Sequence, residues 1–370
     1  MKILAIDTSC DETSVAVTSG RKVLSNVIYS QILLHKKWGG VVPSIAKRAH
    51  EERIDFVVEN ALNNFRRSAK ILSRLNSSPM EKGLVKHLVS KNFVSRLLEG
   101  IDAIAVTQGP GLAVALEVGI KKAKELAKKY QKKLISINHL EGHIYSAFVQ
   151  NSQGNPKKEF KFPYLTLIVS GGHTEFVIFK NHLEYEVIGE TLDDAAGESL
   201  DKAAKLLGLG YPGGPVIERL AKEVENADSH HFPRPMLKSK DLNFSFSGLK
   251  TSFYYFLRKG KTPLSGVKFL ASSFQEAVFD TLIKKTEKAI KQTGINRLII
   301  GGGVIANMRL RKLMRDLVKK YKGEVLFPSY KYLAGDNAAM IGVVAGFKAD
   351  KGLFVEDINK LDRVPRFNIS

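Results

Sequence analysis

An α/β protein made of two related lobes is the fold this sequence predicts, and three observations carry that expectation. The chain opens with three short β runs, a comparable set follows at residues 164–188, and each set leads on to a strand, a glycine turn and a helix. At 370 residues the chain also exceeds the roughly 250–300 at which a single core stops growing.

In the first set, residues 3–7, 14–18 and 23–29 are apolar runs separated by polar turns, which reads as a β-meander. Residues 101–107 then form a strand before the turn Gln108 to Leu112 (QGPGL), and a helix runs to about Lys129. The second set is YLTLIV, EFVIFK and LEYEVIGE, with Ser170-Gly171-Gly172-His173-Thr174 turning between the first two. A strand at 297–300 precedes Gly301-Gly302-Gly303 and a helix starting near Asn307. The lobes are expected at 1–150 and 151–336, with a helix over 337–362 returning to the first. Duplicated lobes with a cleft between them are the plan of actin-like and sugar-kinase-like nucleotide folds.

A basic segment interrupts the first half at about 64–100, where residues 66–98 hold eight Lys or Arg and one acid, Glu81. Ile71, Leu72 and Leu75, then Leu84, Val85, Leu88 and Val89, have helical spacing around a Ser-Ser-Pro break. Two short surface helices are expected, either as a nucleic-acid clamp through Arg66, Arg67 and Arg74 or as a solvated decoration. The tail from Lys351 carries no assigned role.

Fifty-seven Lys plus Arg against thirty-seven Asp plus Glu give a formal charge of +20, a field that draws polyanions, with nucleic acid the natural partner. The lone cysteine, Cys10, excludes an internal disulfide. With no leader-like opening and no 18-residue apolar run, the expectation is a cytosolic protein that does not enter a membrane.

The chemistry starts from His139 and His143. Four residues turn an α-helix by about 400°, so the two imidazoles share a face and can meet one ion. Asp336, in GDNAA, could supply a third ligand and leave positions open, which suits Zn²⁺ or non-haem Fe²⁺ without choosing between them. A zinc peptidase needs H-E-x-x-H. Here the acid is Glu141, about 200° round the helix from His139, where it cannot serve a metal-bound water.

Other motifs are compatible with phosphate or ribose binding and equally with plain turns. Asp7-Thr8-Ser9 and Asp11-Glu12-Thr13 lie at a strand end, with Cys10 read as inert. The glycines of 108–112 and 170–174 allow close backbone approach, those of 170–174 through a positive-φ turn that leaves amides free. Asp194, Glu198 and Asp201 share a helix face with Lys202 and Lys205, and Tyr211-Pro212-Gly213-Gly214-Pro215 is expected to end that helix. Asp201 would then face ribose hydroxyls beside Gly214, and Asn307 would offer donors and acceptors after the triple glycine.

Taken together, IDTSCDETS, GGVVPSIAKRAH, TQGPGL, NHLEGHIYSA, SGGHTEF, TLDDAAGESLDKAAKLLGLGYPGGP, FSFSGLK, GGGVIAN and GDNAAMIG closely resemble the tRNA N6-adenosine threonylcarbamoyltransferase family, bacterial or organellar type. The resemblance spans residues 3–346 outside the basic segment, with departures at Val114 and Glu117. It implies an actin-like fold and transfer of a threonylcarbamoyl group from threonylcarbamoyl-AMP to N6 of adenosine 37, in the anticodon loop of tRNAs reading ANN codons. It also implies one divalent metal (Fe²⁺ or Zn²⁺) on His139, His143 and Asp336. The implied adenylate positions are Ile168, Val169, Ser170, Gly171, Gly172, Asp201, Gly214 and Asn307.

Asp7, Asp11 and Glu12 match family positions near the metal and acyl group, and Asp11 or Glu12 is the expected acceptor of the amine proton. The implied partners are an inactive paralogue pairing through the first lobe, a P-loop ATPase and a separate threonylcarbamoyl-AMP synthase. This chain has no GxxxxGK[ST] of its own. Competing readings are a metallopeptidase, an older label for such sequences, the scaffold-like paralogue, and a general ATPase or sugar kinase of the same fold.

Overall fold

The computed structural model describes residues 1–75, 98–260 and 266–369, and they divide into two compact units. The first combines Met1–Gln31, Pro43–Glu159 and Asp336–Asn368; the second combines Ile32–Val42, Phe160–Gly335 and the C-terminal Ile369.

The first unit is built on a five-stranded sheet. Its strands are β1 (Lys2–Asp7), β2 (Glu12–Ser19), β3 (Lys22–Ser30), β4 (Ala103–Gly109) and β5 (Lys133–Asn138), in the order β3-β2-β1-β4-β5. β1 is antiparallel to β2 and parallel to β4, so the meander supplies one half of the sheet and strand–helix alternation the other. Leu4 and Ile6 of β1 and Ile104 and Val106 of β4 pack into a core with α1 (Pro43–Leu75) and α2 (Ala113–Lys129), through Val57, Val58, Leu62, Ile120 and Leu126. Against the sheet also lies α9 (Ala338–Asp350), where Gly342 allows close approach: a Cβ there would stand 2.6 Å from Thr18 Oγ1 and 3.2 Å from Ala5 Cβ.

The second unit repeats this topology. Strands β6 (Tyr164–Val169), β7 (Thr174–Asn181), β8 (Glu184–Glu190), β9 (Arg297–Gly301) and β10 (Glu324–Leu326) run in the order β10-β9-β6-β7-β8. Here β6 takes the place of β1, antiparallel to β7 and parallel to β9. Leu165 and Leu167 face a core lined by α4 (Ala196–Leu206), α5 (Gly213–Glu223), α6 (Ser247–Lys259), α7 (Val267–Thr293) and α8 (Met308–Lys320), with Phe244, Phe246, Phe253, Phe274 and Phe279 among its largest members.

Several expectations change. Residues 32–42 cluster with the second unit, although they sit inside the first 150; Gly39 there packs against the Lys205 side chain. Ile71, Leu72 and Leu75 belong to one 33-residue helix continuing from Pro43, and residues 76–97, with Leu84 to Val89, fall outside the described residues. The C-terminal helix ends at Asp350 because Gly352 turns the chain at φ 73°. The tail beyond it holds the first unit together: Val355 N–H donates to Leu134 O, Val364 N–H to Gln108 O, and Gly111 N–H to Pro365 O. The first glycine of QGPGL serves that contact, since a Cβ on Gly109 would overlap Val364 O at 1.8 Å. Among the described residues no helix is long and apolar enough to cross a membrane.

Candidate metal centre and nucleotide loops

The histidine pair is fixed by the end of β5. Asn138 caps α3 (His139–Tyr145): its Oδ1 accepts from the Leu140 N–H at 2.9 Å, and the Asn138 N–H donates back to Glu141 Oε2 at 3.3 Å. Asn138 Nδ2 in turn donates to Phe367 O and Asn368 O of the tail. Glu141 is further tied to Lys348 of α9 at 2.8 Å. Its carboxylate is thus committed to capping and an ion pair on the far side of the helix, as the 200° rotation predicts.

His139 and His143 come out edge to face, ring centroids 4.7 Å apart at 81°. Gly142 lets the helix approach α9, where a Cβ would lie 2.9 Å from Met340 Cγ. Asp336 arrives just before Asn337, which caps α9 by accepting from the Met340 N–H at 3.0 Å. Asp336 Oδ1 lies 3.2 Å from His139 Nε2 and 3.5 Å from His143 Nε2, and one ligand atom from each residue falls within 4.8 Å of the other two. Behind His139, Asp7 Oδ2 stands 3.5 Å from Nδ1.

The donor set fits a metal ion. Both rings are buried, and three of their four nitrogens, His139 Nδ1 with Nδ1 and Nε2 of His143, have no hydrogen-bond partner. Buried polar atoms left in that state are costly. Burial pulls the His139 imidazole down, but the Asp336 and Asp7 carboxylates outweigh it and raise it to about 10. Burial lowers His143, with the charge on His139 adding to the effect. Asp336, which burial alone would raise, is held well below the carboxylate range by the two imidazoles. The site therefore demands positive charge beside Asp336. A proton on His139 supplies it, and a divalent cation supplies it while also satisfying His143.

The first turn lies within electrostatic reach of Asp336. Burial, then Asp11 and Asp336, push the Glu12 carboxyl well up, and Ser30 Oγ donates to it at 3.3 Å. Asp11 Oδ2 is buried without a partner. Burial and the same acids push the Cys10 thiol up, so it is a neutral side chain. His50, not singled out by sequence although it ends the motif GGVVPSIAKRAH, locks the turn: Nδ1 meets Thr13 Oγ1 at 2.7 Å and Nε2 meets Cys10 O at 3.0 Å.

In the second unit the glycine loops gather at the ends of β6 and β9, which are paired with Ile168 opposite Gly301. Ile168 and Val169 are buried in β6, so only their backbone faces the loop. Gly171 and Gly172 are exposed, with open space where a Cβ would sit. Neither has the positive φ expected of them. The turn is closed instead by Ser170 Oγ, which accepts from the N–H groups of Gly172 (3.3 Å) and His173 (3.0 Å), so those amides are not free as anticipated.

Gly302, at φ 95°, lets its loop touch Val169; a Cβ would stand 2.3 Å from Val169 O. Asn307 caps α8 by accepting from the N–H groups of Arg309 and Leu310, and its Nδ2 donates to Gln275 Oε1. Gly197, whose Cβ would stand 2.5 Å from Ser170 O, seats α4 against the same loop.

The YPGGP turn opens α5 instead of closing α4, because Asp201 Oδ1 accepts from the N–H groups of Gly213 (2.7 Å) and Gly214 (3.3 Å). Asp201 and Gly214 are thereby brought together, and Gly214 faces open space. Asp193 accepts from Ser245 Oγ, Ser247 Oγ and the Phe246 N–H, and Asp194 pairs with Lys202 and Lys250, so the acids of TLDDAAGE anchor FSFSGLK. Glu198 pairs with Lys202 one turn on at 2.8 Å, as the helical spacing predicts.

Two sheets of one strand order, with glycine loops at the strand ends of one, define a fold of the actin-like and sugar-kinase type. Two solved HypF structures share the fold. Full-length HypF in its phosphate- and nucleotide-bound form aligns with TM-score 0.54 and 14% identity, over 95% of this chain and 55% of that one. HypF of T. kodakarensis aligns with TM-score 0.59 and 13% identity, over 96% and 49%. Within that class, the chain belongs to the tRNA N6-adenosine threonylcarbamoyltransferase family, whose sequence profile matches residues 22–75 and 85–343.

Curated proteins of that name are similar over the full length. Those of Thermosipho africanus and Thermosipho melanesiensis are 43% and 45% identical over 369 and 370 residues, 100% of both chains in each case. That of Staphylococcus aureus is 43% identical over 96% of this chain and 93% of its own. The chain is accordingly a transferase of tRNA modification.

Proposed function

We propose that the chain transfers the threonylcarbamoyl group of threonylcarbamoyl-AMP to N6 of adenosine 37 in tRNAs reading ANN codons. The observation that carries this reading is the trio His139, His143 and Asp336, brought within coordinating reach in a chain that aligns over the whole length of its relatives. These three residues would hold one Fe²⁺ or Zn²⁺, which when bound supplies Lewis acidity and a fixed point of attachment for substrate oxygens.

The adenylate would sit on the second unit, over the backbone of Ile168, Val169, Ser170, Gly171 and Gly172, with Asp201, Gly214 and Asn307 shaping its contacts. Support comes from the adjacency of these loops at the ends of β6 and β9 and from the open space above Gly171, Gly172 and Gly214. The adenosine amine attacks the carbamoyl carbon, the bond to the AMP phosphate oxygen breaks, and AMP leaves with that electron pair. Asp11 or Glu12 takes the amine proton. No enzyme nucleophile enters, in keeping with the neutral Cys10. Positioning of a weakly nucleophilic amine is the main demand.

A peptidase would need Glu141 as its base, and that carboxylate is engaged by Asn138 and Lys348. The reading brings with it an inactive paralogue subunit, a P-loop ATPase and a separate threonylcarbamoyl-AMP synthase as partners. It also brings a cytoplasmic setting, in keeping with the lone cysteine.

The test supplies the full-length chain and its partner subunits with tRNA, threonine, bicarbonate, ATP and the synthase, followed by nucleoside mass spectrometry. Threonylcarbamoyladenosine should appear, and His143→Ala should lower both bound metal and product by about 10³-fold or more, the several kcal/mol that a metal supplies. Product formation by a metal-free His143→Ala protein at the wild-type rate would remove the metal from the mechanism.

A further inference from the structure

The helix α6 has two faces of opposite character. Leu249 and Phe253 are fully buried in the core of the second unit, and Leu257 packs against it. About half a turn away, Tyr254 and Tyr255 are 40% and 57% exposed, with Arg258 and Lys259 exposed one turn further on. Phe256, 41% exposed, borders this face with its ring against His230 and Phe232. The two tyrosine rings meet at 5.6 Å, and the Arg258 guanidinium lies 5.7 Å from the Tyr254 centroid while donating to its hydroxyl at 3.3 Å.

A helix face meant only for water would carry Lys, Glu and Gln; three consecutive aromatic residues leave apolar ring surface in solvent at a free-energy cost. The electrostatics select the partner. One residue in ten of the chain is acidic (37 of 370), yet residues 242–275, 34 in all, contain no Asp or Glu and five Lys or Arg. A protein surface rich in acids would be drawn by the charge but would gain little from the rings. Unpaired nucleotides use both, since bases stack on aromatic faces while phosphates meet the cations. A base-paired stem would use only the cations, because its base faces are already stacked.

We propose that the exposed face of α6 is a stacking platform for unpaired nucleotides of tRNA, with Tyr254 and Tyr255 taking bases and Arg258 and Lys259 the flanking phosphates. The proposal rests on the reading that tRNA is the substrate. The experiment is fluorescence-anisotropy titration of an unmodified tRNA transcript against the full-length protein at several salt concentrations.

Tyr254→Ala/Tyr255→Ala should weaken binding by about 10-fold or more at every salt concentration while leaving the salt slope unchanged. Arg258→Gln/Lys259→Gln should weaken it chiefly at low salt and reduce the slope by about 1.4–1.8. Tyr254→Phe/Tyr255→Phe keeps the rings and should bind as wild type. A folded alanine pair with wild-type affinity, beside a wild-type protein that binds tRNA and makes the modified nucleoside, overturns the platform and spares the transferase reading. Equal losses in the phenylalanine and alanine pairs overturn stacking in favour of hydroxyl contacts. Wild-type protein that binds no tRNA overturns both.

Discussion

The two sheets have one strand order and opposite chemistry at their strand ends. In the first unit, the ends of β1 and β5 present side chains: Asp7 on β1, with His139 directly after Asn138, the last residue of β5. In the second unit, the ends of β6, the counterpart of β1, and of β9, the counterpart of β4, present glycine turns. Charged side chains gather at the strand ends of one scaffold and glycine turns at those of the other. A divalent cation needs deprotonated or lone-pair side chains converging at fixed distances, whereas a nucleotide needs room and close backbone approach, and duplication lets one fold provide each separately.

The largest effect expected from this contrast concerns the glycines that make the second unit possible. Gly302→Ala places a methyl 2.3 Å from Val169 O at a φ of 95°, so nothing flexible can yield. It should cost about 2–4 kcal/mol of stability, read by denaturant unfolding. A variant as stable as wild type would mean that the loop is not held against β6 as described. Next comes Asp7→Asn. If the carboxylate orients His139 from behind, metal affinity measured by competition with a chromophoric chelator should fall about 10- to 100-fold with the fold intact. Unchanged affinity would reduce Asp7 to a buried polar residue of the strand end.

The sequence made the local parts of this contrast visible. Periodicity of two placed the strands of both meanders, and helical spacing put His139 and His143 on one face while turning Glu141 away, because these depend only on neighbours in the chain. Contacts between distant residues were not legible. Nothing in the tail signals that Phe367 O and Asn368 O hold the Asn138 cap, more than 200 positions away. The Asp201 side chain turned YPGGP from a helix end into a helix start for the same reason. The glycines looked alike in sequence but divide in space: a Cβ on Gly197 or Gly302 would strike backbone, while one on Gly171, Gly172 or Gly214 would meet nothing.

That division gives a smaller and sharper test. Gly214→Ala adds a methyl in open space, so unfolding should be unaffected while affinity for a non-hydrolysable threonylcarbamoyl-adenylate analogue, measured by calorimetry, falls about 10-fold through lost close approach. Undiminished affinity would move the adenylate away from this turn. Paired with Gly302→Ala, it separates glycines that the fold needs from glycines that a ligand needs.

The smallest effect comes from an acid on β7 that faces another acid. In the first unit Asp7 and Asp336 face imidazoles, whereas Glu175 on β7 lies directly opposite Glu190 on β8. Burial, then Glu190, raise the Glu175 carboxyl from 4.5 to about 7. A folded-state value above the unfolded one means the native chain binds this proton more tightly, so its stabilising contribution is complete below about pH 4.5 and is lost as pH rises through 7. Glu175→Gln cannot ionise and escapes that loss. It should gain about 1–2 kcal/mol over wild type at pH 8 and almost nothing at pH 4.5, read by urea unfolding at the two values. A gain of the same size at both would assign the effect to packing; no gain at either would mean that the two glutamates are separated by solvent and the second unit carries no unbalanced charge beside its glycine loop.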